Sequence, residues 1–258
     1  TYFYEDRDFS ITQSPLAQHD MELLGEVAGI LKQLTGFRHF EEITALIKRI
    51  EQKLSEKATP VAETVQIDQV PDLKGLEWLD VLRRYINRQE EVRLHYCPFH
   101  RKEALGMDYS PYLLKEYNRR WFVIGRTRGY ERPGIFALDR IVDVRPTGRN
   151  ALPNTVFDTG RLFQHTIGVT LPQDNTVHTV RLKVLAPRAG YVRTKPLHAS
   201  QQLVEELEDY SVFELRVMLN RELLTTLLQF GKDLQVLAPQ ELVQSMKAQI
   251  EAMYAFYQ

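Results

Sequence analysis

Cysteine is almost missing from this 258-residue chain. Cys97 stands alone, which excludes an internal disulfide and any zinc cluster built from thiolates, and leans toward a reducing compartment. Net charge is missing too: 33 Lys and Arg oppose 34 Asp and Glu, so any nucleic acid or membrane partner has to be met by a local patch. No run of about 18 apolar residues is present, and the amino end, Thr1-Tyr2-Phe3-Tyr4-Glu5-Asp6-Arg7, lacks the basic-then-apolar order of a secretory signal. A cytoplasmic protein is expected. There is no Gly-x-Ser-x-Gly elbow, no Gly-rich phosphate loop closing on Lys-Ser/Thr and no His-Glu-x-x-His helix, and no carboxylate cluster completes a metal site with His95 and His100. Neither an enzyme nor a metal or other cofactor is expected. The chain opens on Thr rather than Met, which suggests that it is a fragment of something longer.

What remains is an ordinary globular composition, 43% hydrophobic and 26% charged, and at roughly 150 residues per domain the length suggests about two domains. Met21, Leu24, Ala28 and Leu31, then Ile43, Leu46, Ile47, Ile50 and Leu54, recur at helical spacing and predict a helical hairpin with Gly36 as a cap. Residues 55–71 are polar, end at Pro71 and read as a linker, apart from a short strand pattern at Val65 to Ile67. A third helix carries Leu76, Leu79, Leu82 and Ile86 on one face. Residues 1–90 are therefore expected to form a helical connector suited to dimerisation.

Residues 91–150 switch to a period of two. Val92, Leu94 and Tyr96 alternate with Arg93, His95 and Cys97; Trp121 and Val123 with Phe122 and Ile124; Phe136, Leu138 and Arg140 with Ile135, Ala137 and Asp139. With turns at Gly129 and Pro133-Gly134, this predicts a small antiparallel barrel or meander. Residues 151–175 read as a loop-rich connector. From 176 to 258 the order is strand, helix, strand, strand, helix, strand and a last helix after Pro239, the order of a ferredoxin-like α+β domain.

The charge is unevenly placed. Between Arg93 and Arg149 lie twelve cations, most of them Arg, and six anions; the rest of the chain therefore carries a net charge of minus seven. Aromatic residues are interleaved: Tyr96, Phe99, Tyr109, Tyr112, Tyr117, Trp121, Phe122, Tyr130 and Phe136. Single-stranded nucleic acid needs this combination, since phosphates are held by cations and unpaired bases stack on rings. Two other readings stand beside it. Arg residues on strands also solvate sheet edges, and Trp121 and Phe136 read equally well as core.

The stretch Pro111-Tyr112-Leu113-Leu114-Lys115-Glu116-Tyr117-Asn118-Arg119-Arg120-Trp121-Phe122-Val123-Ile124-Gly125, with Leu138-Asp139-Arg140-Ile141 and Tyr96-Cys97-Pro98-Phe99, resembles the WYL domain of bacterial transcription regulators. The name-giving Trp-Tyr-Leu reads Trp121-Phe122-Val123 here, which keeps the ring and the aliphatic group and loses the hydroxyl. The resemblance implies an α+β chain: a helical segment, an Sm-like or SH3-like barrel, and a carboxy-terminal extension of ferredoxin-like arrangement, often called WCX. It also implies a winged helix-turn-helix for promoter DNA, and since little sequence precedes Pro15 that element is expected to be missing here.

By the same resemblance, the barrel binds a single-stranded nucleic acid or nucleotide-like effector and shifts a homodimer toward or away from DNA-competent geometry. Tyr96, Tyr112, Lys115, Trp121 and Arg140 match motif positions. Arg119, Arg126 and Arg128 flank the Trp strand, and His100 follows the Tyr-x-Pro-Phe segment; together these nine are the expected effector contacts. Strand parity places Arg140 on the side of Phe136 and Leu138, with Asp139 opposite, so that Arg140 is expected at the barrel rim facing an anion. The competing expectations are a protein-interaction and oligomerisation module without a nucleic acid ligand, and a sensor of a nucleotide second messenger.

Overall fold

The computed structural model describes residues 73–258 and, before them, only positions 27, 45, 48 and 49. The predicted helical hairpin and the linker after it lie outside the described residues. The rest divides into two compact units, one of residues 73–123 and 136–151, the other of 124–135 and 152–258.

In the first unit, α1 (Glu77–Arg88) forms because Leu79 and Leu82 recur on one face, both fully buried. Burying each contributes about 1.5–3 kcal/mol relative to leaving it in water. Glu77 and Asp80 in its first turn and Arg88 in its last match the helix dipole. Gln89, at φ 53°, ends it in a left-handed conformation, its N–H reaching the carbonyls of Tyr85 and Ile86.

Five strands follow, with residues 124–127 of β3 and 133–135 of β4 counted in the second unit: β1 (Glu90–Tyr96), β2 (Leu105–Tyr117), β3 (Arg120–Thr127), β4 (Pro133–Ala137) and β5 (Ile141–Asn150), in the sheet order β4-β3-β2-β1-β5. β1 pairs antiparallel with both neighbours, setting Arg93 between Asp108 and Arg145, and His95 between Gly106 and Asp143. The predicted alternation holds there: Val92, Leu94 and Tyr96 are buried with Leu79, Leu82, Tyr109, Val123 and Leu138 in one core against α1, while Arg93 is exposed. The β2–β3 hairpin turns on Asn118 and Arg119, at φ 48° and 63°, the two consecutive positive values of a tight hairpin turn.

The expected barrel is not closed. β4 and β5 are the two edges of an open sheet, and between them Leu138–Arg140 folds into a single 3-10 turn where the alternation predicted a continuing strand.

The second unit contains the predicted alternation: β6 (Val177–Leu185), α2 (Ala186–Thr194), β7 (Gln202–Glu206), β8 (Tyr210–Met218), α3 (Arg221–Leu228), β9 (Leu234–Ala238) and α4 (Gln240–Ala255). Its antiparallel sheet has the order β7-β8-β6-β9. Val180, Leu182 and Val184 of β6 and Phe213, Leu215 and Val217 of β8 face one core with Leu223, Leu227 and Leu242 from the helices.

The connector before β6 is not loose. Asn220 caps α3 through Leu223 N–H (2.8 Å), and its Nδ2 donates to the carbonyls of Ile167 and Thr170 at 2.8 and 2.9 Å. Glu222 Oε1 accepts from Val169 N, Thr170 N and Thr170 Oγ1 at 3.2, 3.0 and 2.8 Å. Gly168 sits beneath it at φ 88°, where a Cβ would come within 2.5 Å of Glu222 Cγ.

Candidate nucleic-acid interface

The 3-10 turn carrying Asp139 and Arg140 is fixed from several sides. Leu138 is sunk in the core at 1% exposure. Cys97 N–H donates to the Arg140 carbonyl at 2.9 Å, and the indole N–H of Trp78 donates to the Ile141 carbonyl at 3.2 Å. From this turn the Arg140 guanidinium lies 4.8 Å from the ring centre of Phe99 and 5.6 Å from that of Tyr96, both cation–π distances.

Phe99, in the turn after β1, is 76% exposed, so Arg140 forms the floor of an accessible aromatic surface. Tyr96 is its buried neighbour, edge-on to Phe136 at 4.9 Å. Burial holds the Tyr96 phenol above its ordinary pKa of 10.0, against the opposing charge of Arg140.

Two polar atoms of this turn are buried without a hydrogen bond, Arg140 Nε and Asp139 Oδ1, and they stand 3.6 Å apart. The other Asp139 oxygen, Oδ2, lies 3.2 Å from Arg120 Nε. Asp139 thus belongs to the same cluster as Arg140 and does not face the opposite way; strand parity fails at these residues because they are not strand. The result is a pair of guanidinium groups sharing one carboxylate, beside an exposed ring. Such a site can accept an anion that brings an aromatic base with it.

The remaining candidates are distributed. His100 is exposed in the turn from Pro98 to Arg101. Tyr112 and Lys115 are half-buried on β2, and Arg119 sits in the β2–β3 turn with its backbone N–H bound by Glu116. Trp121 packs partly against the first core, as does Phe136. Arg126 and Arg128 belong to the second unit. There Arg126 donates to the Tyr130 carbonyl (3.2 Å) and Thr155 Oγ1 (3.4 Å), and Arg128 is exposed beside Gly129. Among the nine, Tyr96 and Arg140 are brought into direct contact.

Several other cations of the basic stretch meet carboxylates on the sheet face away from the core. Arg93 Nη1 binds Asp108 Oδ1 at 2.8 Å; Arg149 binds Glu91 Oε1 at 2.5 Å and also Asp108; Arg145 binds Asp143 at 2.5 Å. Hydrogen bonds from Arg93 and Arg149 hold the Asp108 carboxyl below its ordinary value, and Glu91 and Asp108 push Arg149 up in turn. Glu91, at 1% exposure, also accepts from Thr147 Oγ1 at 3.2 Å. The excess of positive charge seen in the sequence is therefore much reduced on this face.

The sequence places Phe99 among the interleaved rings but not among the nine expected contacts, Asp139 is in neither group, and Glu91 carries no signal at all. Among the described residues no group of three or more His, Cys, Asp or Glu is placed to hold a metal, and no helix is long and apolar enough to cross a membrane.

An α1-backed antiparallel sheet with an arginine-aromatic turn, followed by a second α+β unit, defines a two-part α+β protein. Comparison with protein families gives the parts their names. The WYL domain matches residues 77–146 and the WCX domain residues 176–254, so the chain carries a WYL domain followed by a WCX domain. No curated protein matches it. Among solved structures it is similar to proteasome accessory factor B/C (PafBC) of Arthrobacter aurescens, at 19% identity and a TM-score of 0.32, over 93% of this chain and 36% of that one. It is also similar to a structure described as a CRISPR Cas-related protein, at 13% identity and a TM-score of 0.43, over 70% of this chain and 51% of that one. The chain thus spans about a third of the first protein and half of the second.

Proposed function

We propose that this chain is the sensing part of a transcription regulator, and that its WYL sheet binds single-stranded nucleic acid at the Arg140 turn. The observation that carries the reading is Arg140 itself: a guanidinium stacked beneath the exposed ring of Phe99, its Nε buried and without a hydrogen bond, sharing Asp139 with Arg120. In this reading a phosphate meets the guanidinium edge and a base lies on Phe99. The strand and helix order of the second unit supports a ferredoxin-like extension, and the α1-plus-five-strand order of the first supports an Sm-like arrangement left open at one seam. The same reading includes a cytoplasmic homodimer that contacts promoter DNA through a helix-turn-helix.

Fluorescence anisotropy with labelled oligothymidylate of about 12 nucleotides, within the usual site size, tests it across a salt series. Affinity should fall with a log-log slope of about −0.7 per phosphate contact, and Arg140→Ala should lose about tenfold or more, the worth of one stacked, charge-assisted contact. Mononucleotides that compete fully would redirect the reading to a nucleotide effector. Absent or salt-independent binding overturns it in favour of a protein-interaction module.

A further inference from the structure

The first turn of α1 and the residues just ahead of it bracket the Asp139–Arg140 dipeptide from behind. On one side Gly75, at φ +85°, lies so close that a Cβ would sit 2.3 Å from the Leu138 carbonyl carbon and 2.4 Å from Asp139 N. On the other side Trp78 donates its indole N–H to the Ile141 carbonyl at 3.2 Å. The two contacts belong to one body, because Trp78 N–H donates to the Gly75 carbonyl at 3.2 Å and Leu79 N–H to Leu76 at 3.1 Å. Leu76 and Leu79 share a core with Leu138.

Backbone set against backbone, with no side chain between, leaves no soft degree of freedom to absorb a shift. The front of the same turn has reason to move: Arg140 Nε and Asp139 Oδ1 are buried without hydrogen bonds, and an anion that recruits the guanidinium changes what both atoms face. We infer that the Gly75–Trp78 segment is the read-out of the Arg140 site: engagement of Arg140 by an anionic ligand shifts the 138–141 turn, and the shift is passed to the amino end of α1, where the chain arrives from residues 1–72. Gly75 and Trp78 are positioning residues that touch no ligand. The trigger rests on the function proposed above; the rigid coupling of the two segments does not.

Amide exchange followed by NMR on the full chain separates the two. In the ligand-free protein the Ile141 amide, which donates to the Leu138 carbonyl, should exchange about tenfold faster in Trp78→Phe than in the parent, with β6 and β8 unchanged. Adding saturating oligothymidylate to the parent should slow amides of residues 76–80 by about threefold or more, and this response should be lost in Trp78→Phe. Unaltered Ile141 exchange in Trp78→Phe overturns the coupling. Binding that leaves residues 76–80 unmoved overturns the relay. Absence of binding overturns the site reading and removes the trigger, while the Ile141 measurement still decides the coupling.

Discussion

Replacing Gly75 with alanine isolates the cost of a backbone contact, because Gly148 offers a control in the same unit. Both residues have left-handed φ, +85° and +76°, but a Cβ at Gly148 meets nothing within 4 Å, whereas one at Gly75 meets three backbone atoms of Leu138 and Asp139 within 2.4 Å. Both substitutions incur the left-handed penalty of an L residue, about 1–2 kcal/mol. Only Gly75→Ala adds overpacking, about 1–3 kcal/mol, because the atoms it strikes are main chain and cannot rotate aside. The expected totals are about 2–5 kcal/mol for Gly75→Ala and about 1–2 kcal/mol for Gly148→Ala. Urea unfolding read by tryptophan fluorescence is the appropriate assay, since Trp78 and Trp121, the only two tryptophans, both lie in this unit. Equal losses for the two variants would refute the argument that the approach of Gly75 to the Arg140 turn is rigid.

Three further outcomes are expected. Asp108 is held below its ordinary value of 3.8 by Arg93 and Arg149, so its contribution is present above that value and is lost as the pH falls through the lowered one; Asp108→Asn should flatten the acid limb of the thermal stability profile, and an unchanged limb would count against the pairing. Glu222→Ala leaves three donors of Val169 and Thr170 without their acceptor, which should cost about 1–3 kcal/mol and expose the connector to limited proteolysis, with Glu222→Gln milder. His198 is held below its ordinary 6.5 by burial and then by His165, and its Nδ1 accepts from Ser200 N–H at 3.1 Å; the neutral ring therefore stabilises the fold above 6.5, and that stability is lost as the pH falls through the lowered value. An NMR titration should place the His198 midpoint below 6.5 with the Ser200 amide following it, and a midpoint at or above the ordinary value would refute this.

How far the sequence could be read depended on where one face met solvent. On β1, Val92, Leu94 and Tyr96 are inside and Arg93 outside, so hydrophobic alternation reported burial directly. On β3 it did not, because Phe122, Val123 and Ile124 are all buried, and a strand covered on both faces carries no two-residue signal. Leu138-Asp139-Arg140 contains neither Gly nor Pro, so nothing in the residues marked the turn that replaced the strand and moved Asp139 beside Arg140. Arg149 and Glu91 are 58 positions apart, and their pairing depends on β1–β5 register, which composition does not encode. Phe99 lay in a quoted motif, but its exposure beside Arg140 is a tertiary fact. In the WCX half much of the element order was legible because β6, β8 and β9 run out against Pro187, Asn220 and Pro239, whereas β7, exposed along its length, has no such marker at either end.

The fastening of residues 167–170 by Asn220 and Glu222 sets where an autonomous second half can begin. A fragment started at residue 176, where the WCX match starts, would discard the partners of Asn220 Nδ2 and Glu222 Oε1, the carbonyl of His165 that receives the Met218 N–H at 2.7 Å, and Ile167 from the core. The shortest piece that keeps its own interior sealed starts ahead of His165, so the family boundary and the folding boundary fall at different places along the chain.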